Sequence, residues 1–243
     1  MHCLQYHEEN NNMTPKILVI ISAYNEEDSI GKVIEHIPNH LVGEIVVVNN
    51  NSTDSTELRA SDAGATVIPE DRRGYGSACL RGIRYAQSKP ADERPEIIVF
   101  LDGDYSDHPE ELEQLVKPIT DEDYDLVIGS RTLGSKEKGA MLPQAVFGNF
   151  LATTLIKLFY KVSFTDLGPF RAIRFEKLLD LNMIDTGFGW TVEMQVKAAK
   201  QGLKCIEIPV SYRKRIGASK ITGTVSGSAK AGYKILWTIF KLL

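Results

Sequence analysis

Short apolar runs punctuate the first half of the chain. Ile17–Ser22, Glu44–Val48, Ala65–Ile68, Ile97–Leu101 and Asp125–Gly129 are brief and rich in Ile and Val, the pattern of strands buried on both faces. Helix signals fill the gaps between them. One helix follows the Ala23-Tyr24-Asn25-Glu26 loop and reaches about His36. A second follows the turn Asn49–Asp54, where Ser52 or Thr53 is placed to cap it. A third covers Gly74–Ser88, and a fourth opens at Pro109 and runs to about Val116. This alternation predicts βαβ units and a mainly parallel sheet with helices on both faces. The second half is less regular. Val146–Tyr160 carries apolar residues near helical spacing, Thr191–Lys200 reads as a helix, Lys204–Val210 as a strand, and Ala229–Leu243 as an apolar-faced end. Residues 1–14 are polar, with an Asn run, and are expected to be a disordered leader. Residues 15–224 form the expected α/β domain and 225–243 a C-terminal amphipathic helix.

Composition narrows the class. The 243 residues suit one large α/β domain, and 43% hydrophobic with 25% charged residues is ordinary for a globular protein. A net charge of -4 gives no case for nucleic acid. The charge is uneven, however. Beyond Lys200 the chain carries Lys204, Arg213, Lys214, Arg215, Lys220, Lys230, Lys234 and Lys241 against the acid Glu207. Such a segment suits phosphate groups or an anionic membrane surface, and equally a solvated face. Cys3, Cys79 and Cys205 show neither metal spacing nor a disulfide framework, which favours a reducing compartment. No uninterrupted apolar stretch is long enough for a transmembrane helix. The expected location is therefore cytoplasmic, peripheral on the cytoplasmic membrane face.

Candidate chemistry gathers where strands should end. Ile97–Leu101 runs straight into Asp102-Gly103-Asp104, so two carboxylates lie at a strand's carboxyl edge, where open α/β sheets bind ligands. Paired hard-oxygen donors suit Mg²⁺ or Mn²⁺ shared with substrate phosphates; a solvated acidic turn is the plainer alternative. Tyr24 suits stacking on a base, and Glu26 either a ligand contact or a helix amino end. Asn49 suits a base edge or a ribose hydroxyl, whereas Asn50 and Asn51 suit turn chemistry. Arg72, Arg73, Gly74 and Gly76 form a glycine-rich helix start able to meet a diphosphate, without a Walker lysine. Arg131 follows a strand end. Asp166, Arg171, Trp190 and Glu193 cluster in the later half, with Trp190 either core or a sugar platform. Arg213, Lys214, Arg215, Gly217, Ser219 and Lys220 form a basic loop after a strand, a position that favours an anion clamp over merely solvated charge.

The ordered set SAYNEE, VVVNNNSTDST, RRGYGSA, FLDGDYSDHPEEL, VIGSR, TDLGPFRAI, GWTVEMQ and RKRIGASK resembles family 2 glycosyltransferases of the GT-A fold over about Lys16 to Lys220. Within them it is most similar to the dolichyl-phosphate and undecaprenyl-phosphate sugar transferases. The resemblance implies an inverting, metal-dependent transferase with a Rossmann-like single domain. It implies a nucleotide site at Ala23, Tyr24, Glu26, Asn49, Asn51, Arg73, Gly76, Asp102 and Gly103, and a divalent cation on Asp102 and Asp104. Arg131, Arg171, Trp190, Arg213, Ser219 and Lys220 are the acceptor or phosphate residues it suggests. Asn49 and Asn50 stand where the family usually has aspartates, and Ser106, with Asp107 beside it, where a metal-ligating glutamine is common. The implied partners are a nucleotide-sugar donor, a lipid-phosphate or glycan acceptor, a peripheral membrane surface and a second copy of the chain. A polyprenyl phosphate is already anionic and needs no base; a hydroxyl acceptor needs one, with Glu193 or Asp166 as candidates. A non-catalytic nucleotide-sugar binding module is the remote alternative.

Overall fold

The computed structural model describes residues 16–217 and 225–243. The expected leader 1–14 and the candidates Ser219 and Lys220 lie outside the described residues. The apolar runs become strands β1 (Ile17–Ala23), β2 (Glu44–Asn49), β3 (Thr66–Pro69), β4 (Ile97–Asp102), β5 (Leu126–Ser130), β6 (Arg171–Arg174) and β7 (Cys205–Pro209) of a seven-stranded sheet, ordered β3-β2-β1-β4-β6-β5-β7. Every pairing is parallel except those of β6, which runs antiparallel between β4 and β5.

Successive side chains of a strand point to opposite faces, and the β1 run ILVIISA therefore feeds two cores. Leu18 and Ile20 join one, with Val46, Ile98, Phe100 and Ile128. Val19 and Ile21 join the other, with Val47, Val99, Leu101 and Val127. The first core is covered by α3 (Tyr75–Ser88), α5 (Pro143–Tyr160), α6 (Phe175–Asp180), α7 (Trp190–Gln201) and α8 (Val225–Lys241). The second is covered by α1 (Ile30–His36), α2 (Thr56–Asp62) and α4 (Leu112–Asp121).

Three local expectations change. The helix expected from Pro109 to Val116 is a 3₁₀ turn at Pro109–Glu111 followed by α4, which continues through Pro118 to Asp121. Leu115 and Val116 before the proline and Ile119 after it stay on the buried face, so packing carries the helix past the lost N–H. Neither Ser52 nor Thr53 caps α2, which starts at Thr56. β6 had no sequence signal: four residues with arginine at both ends show neither period.

Register aligns the strand ends. Ser22 pairs with Asp102, and Ala23 with Asn49. The sheet order departs in opposite directions from the β1–β4 pair, which makes it a topological switch point. Such a point leaves a crevice outside the carboxyl ends of the strands.

Candidate active site

The crevice exists. A cleft of about 460 Å³ opens over the ends of β1 and β4, lined by Ala23, Tyr24, Glu26, Asp102, Gly103 and Asp104 on one side. Its other walls come from Asn50, the Arg72–Tyr75 turn, Thr186–Phe188 and Arg215. This size and mixed lining suit a small-molecule site.

The loops after β1 and β2 are laced together. The Asn25 backbone N–H donates to Ser52 Oγ at 3.0 Å, and Thr53 N–H returns a bond to Asn25 Oδ1 at 2.8 Å. Glu26 N–H donates to Thr56 Oγ1 at 2.8 Å, and Ser55 N–H to Glu27 Oε2 at 2.9 Å. The residues expected as helix caps thus hold Tyr24 and Glu26 in place. Arg73 lies 3.4 Å over the Tyr24 ring, a cation–π contact at the mouth of the cleft.

The asparagines have a physical reason. Asn49 Nδ2 donates to Glu57 Oε2 at 3.0 Å while its Oδ1 accepts from Ser52 N–H at 3.0 Å. An aspartate there would face Glu57 with no donor. Asn50 donates to the carbonyls of Glu70 and Arg72 and accepts from Gly74 N–H at 2.8 Å, clasping the turn that carries Arg73. The structure separates these two residues: Asn49 builds the turn, and Asn50, the partner position in the resemblance, lines the cleft. Asn51 takes a left-handed φ of 62° at an exposed turn, away from the cleft.

Gly74 adopts φ 144°, and a Cβ there would run into the Thr186 carbonyl oxygen. Gly76 presses equally closely on Asp185 and donates its N–H to Gly187 O, so it supports the wall instead of lining the cleft.

At the acidic centre, Asp102 Oδ1 is buried without a hydrogen-bond partner. Burial, then the neighbouring Asp104 and Asp107, raises the Asp102 pKa well above the usual carboxylate value. Asp104 is fully engaged. Its Oδ1 accepts from Ser106 N–H and Oγ–H at 2.9 and 2.6 Å, and its Oδ2 meets Arg215 Nη1 at 3.1 Å. Arg215 Nη2 also pairs with Glu26 Oε1 at 2.7 Å. An orphaned carboxylate oxygen beside a second carboxylate fits a hard divalent cation. Among the described residues no cluster of three metal-ligating His, Cys, Asp or Glu side chains occurs. Mg²⁺ in phosphate-transfer sites is commonly held by one or two carboxylates and completed by substrate phosphates.

Within the basic loop the resemblance singles out Arg213, but the structure places Arg215 in the cleft. The segment runs beside Asp104–Ser106: Arg213 N–H bonds Ser106 O at 2.9 Å, and Ile216 N–H bonds Asp104 O at 3.0 Å. The Arg213 guanidinium is spent on the Tyr105 ring, 3.8 Å away, and on Asp107 O at 3.0 Å. Arg213 and Arg215 lie two residues apart in one basic loop, so the sequence pattern does not separate them.

Four later candidates are corrected. Trp190 is fully buried and packs edge-on against Phe100, centroids 4.6 Å apart, which makes it core and not a sugar platform. Arg171 is fully buried and donates to the Gly168, Leu167 and Thr191 carbonyls, so it is not open to an acceptor. Glu193 accepts from Ile184 and Asp185 N–H, the latter at 2.7 Å, and pairs with Lys197 at 2.8 Å. Asp166 is fully buried and bidentate to Arg131, with both contacts at 2.8 Å. Burial opposes its charge, but Arg131 overrides this and lowers its pKa. Neither carboxylate lines the cleft or has an oxygen to spare for a proton.

Asp107 sits under the Tyr212 bridge, 2% exposed, without a hydrogen-bond partner of normal geometry. Burial, then Asp104, pushes its pKa up to about 7. The unfolded chain therefore releases this proton near pH 4 while the native chain keeps it to about 7, so this group makes stability fall as pH rises across that window. In chelator-containing buffer, Asp107→Asn is expected to raise stability at pH 8 by at least about 1 kcal/mol and to change little at pH 4. Urea melts at the two pH values check this; equal effects at both would contradict it.

Comparison with known proteins agrees with this geometry. Residues 18–181 match the model for Glycosyl transferase family 2. A glycosyltransferase of Mycobacterium tuberculosis, itself uncharacterised, is 34% identical over 214 residues, covering 87% of this chain and 92% of that protein. A dolichyl-phosphate hexose transferase of Haloferax volcanii is 30% identical, covering 88% of this chain and 90% of its own. Glucosyl-3-phosphoglycerate synthase from Mycobacterium tuberculosis, solved with Mn²⁺, UDP and phosphoglyceric acid, shares the fold at TM-score 0.72 and 22% identity, covering 94% of this chain and 78% of that one. With a switch-point cleft, a paired-acid strand end and a family match across most of the sheet, the chain is a family 2 glycosyltransferase.

Proposed function

We propose that this enzyme moves a sugar from a nucleotide-diphosphate sugar to a polyprenyl phosphate, with inversion. The observation that carries the donor half is the Asp102 oxygen left without a protein partner beside Asp104 in the cleft. Bound there, Mg²⁺ or Mn²⁺ would neutralise the charge that develops on the diphosphate leaving group. Ligation through Asp104 asks Arg215 to give up Oδ2, which frees a guanidinium for the same diphosphate. Arg73, over Tyr24, stands at the mouth to orient the nucleotide. The anomeric carbon–oxygen bond to the diphosphate breaks with its electron pair leaving on the nucleotide, and a bond from the acceptor oxygen forms on the opposite face.

Two observations favour a lipid phosphate as acceptor. Both base candidates are locked in structural bonds, and an already ionised phosphate needs none. The second is the surface of α5 and α8. Phe147, Phe150, Leu158, Tyr233, Trp237 and Phe240 are exposed there, and neither helix carries an Asp or Glu. Lys157, Lys230 and Lys241 lie on the same helices. Apolar faces rimmed by lysine suit an anionic lipid interface. Among the described residues no helix is long and apolar enough to cross a membrane, so the contact would be peripheral. The inner side of α5 meets the acceptor candidate: Asn149 donates to Thr165 O and accepts from Leu167 N–H, which frames Asp166 and hence Arg131.

Transfer of labelled sugar from UDP- and GDP-sugars is to be measured with Mn²⁺ and three acceptors: polyprenyl phosphate in anionic vesicles, soluble sugar phosphates, and neutral glycans. Product on the lipid phosphate is expected. Product only on a soluble acceptor would overturn the lipid assignment, and no product on any acceptor would favour the binding-module alternative.

A further inference from the structure

The wall Thr186–Phe188 lies beyond the segment that matches the family model. It is a loop between α6 and α7, and it touches three elements. On the α3 side, Ser77 N–H donates to Thr186 O at 3.0 Å and Gly76 N–H to Gly187 O at 3.3 Å. From below, Glu193 gathers the Ile184 and Asp185 amides. The third partner is α8. Asp185 spends Oδ1 on Gly187 N–H at 2.8 Å and Oδ2 on Lys234 Nζ at 2.7 Å. The Asp185 side chain is 7% exposed and that of Lys234 40%, so the carboxylate is withdrawn from water while the ammonium keeps part of its hydration. Packing around it is close. A Cβ on Gly189 would strike Thr238 Oγ1 of α8 and Asp185 Oδ2. α8 is itself anchored, with Tyr160 Oη donating to Ile239 O and Lys200 Nζ to Leu242 O, both at 2.6 Å.

We infer that Lys234 is a positioning residue for the donor: through Asp185 it sets the Thr186–Phe188 wall, making α8 a working part of the nucleotide site. This rests on the reading that the cleft takes a nucleotide diphosphate. The same helix bears exposed Tyr233, Trp237 and Phe240, so one ion pair joins the apolar face of the enzyme to its donor wall. Asp185 reaches the loop amide and the helix cation with different oxygens. Loss of the lysine therefore leaves the Gly187 bond in place but unpins the wall from α8.

The test compares wild type, Lys234→Met, Lys234→Arg and Asp185→Asn in the full chain. UDP and GDP binding with Mn²⁺ is measured by calorimetry, and donor KM and kcat by sugar transfer. Lys234→Met is expected to weaken binding and raise donor KM about tenfold, as a small misplacement of a site wall does, with kcat at saturating donor nearly unchanged. Lys234→Arg should restore both within about twofold. Asp185→Asn should match Lys234→Met, and the double variant should lose no more than either, since the two act as one unit. Wild-type affinity in Lys234→Met and Asp185→Asn would overturn the inference, as would an equal fall in kcat and affinity that arginine does not rescue. A wild-type chain that binds neither nucleotide would overturn the donor reading beneath it.

Discussion

Asp102→Ala is expected to lower sugar transfer at least about a thousandfold, since under the proposed function it would remove a ligand of the cation that takes up leaving-group charge. Asp104→Ala should do the same. The two should differ in what else they change. Asp102 Oδ1 is buried and unpartnered, and burial raises the pKa of this carboxyl; the native chain gains nothing from its charge. Asp102→Asn should therefore melt no lower than wild type while losing transfer, separating function from fold. Asp104 holds Ser106 and Arg215, so Asp104→Ala should also free those two side chains and melt lower. Initial rates under saturating Mn²⁺, set beside melts in chelator, check both. Transfer within tenfold of wild type in either variant would count against the paired-acid centre.

Arg131→Ala is expected to cost about 3–5 kcal/mol of stability, because it strands a fully buried carboxylate. Asp166 has no solvent to turn to, and its remaining donors are the Arg131 and Leu167 amides. The sign with pH follows from its lowered pKa. The pair's contribution is present above the unfolded carboxyl value of about 3.9 and is lost as pH falls through the lower native value. The penalty of Arg131→Ala should therefore shrink in acid. Replacing both residues by apolar ones of similar volume should recover much of the loss. Denaturant melts of the single and double variants at pH 7 and pH 3 check this. A loss under about 1 kcal/mol at pH 7 would show that the pair is not the buried unit described. Arg131→Lys, which keeps the charge, is the suitable probe of acceptor phosphate binding.

The two halves of the site differed in how far the residues alone could show them. β1 and β4 were legible because an apolar run cannot continue into charge, so Asp102 had to lie at an edge. Parallel register then fixed its neighbours Ser22 and Ala23. What failed depended on which partner a polar side chain finds across the fold. Glu193 looks like a base beside an aromatic, but it was taken by the amides of a loop eight residues back. Trp190 looks like a platform until Phe100 and Tyr75 close over it. Asn49 and Asn50 take different places because Glu57 supplies an acceptor for one and the Glu70–Gly74 turn a clasp for the other. Arg213 and Arg215 are indistinguishable by sequence pattern, and the Tyr105 ring decides between them. β6 stays hidden because a four-residue strand bounded by arginines carries no hydrophobic period.

The most direct measurement is pulsed EPR of Mn²⁺ bound to the chain together with a nucleoside diphosphate. Phosphorus coupling to the manganese is expected in the wild type, and both the coupling and the Mn²⁺-dependent nucleotide affinity should vanish in Asp102→Ala. Nucleotide binding indifferent to Mn²⁺, or bound Mn²⁺ that senses no phosphorus, would contradict a cation bridging Asp102 and the donor diphosphate.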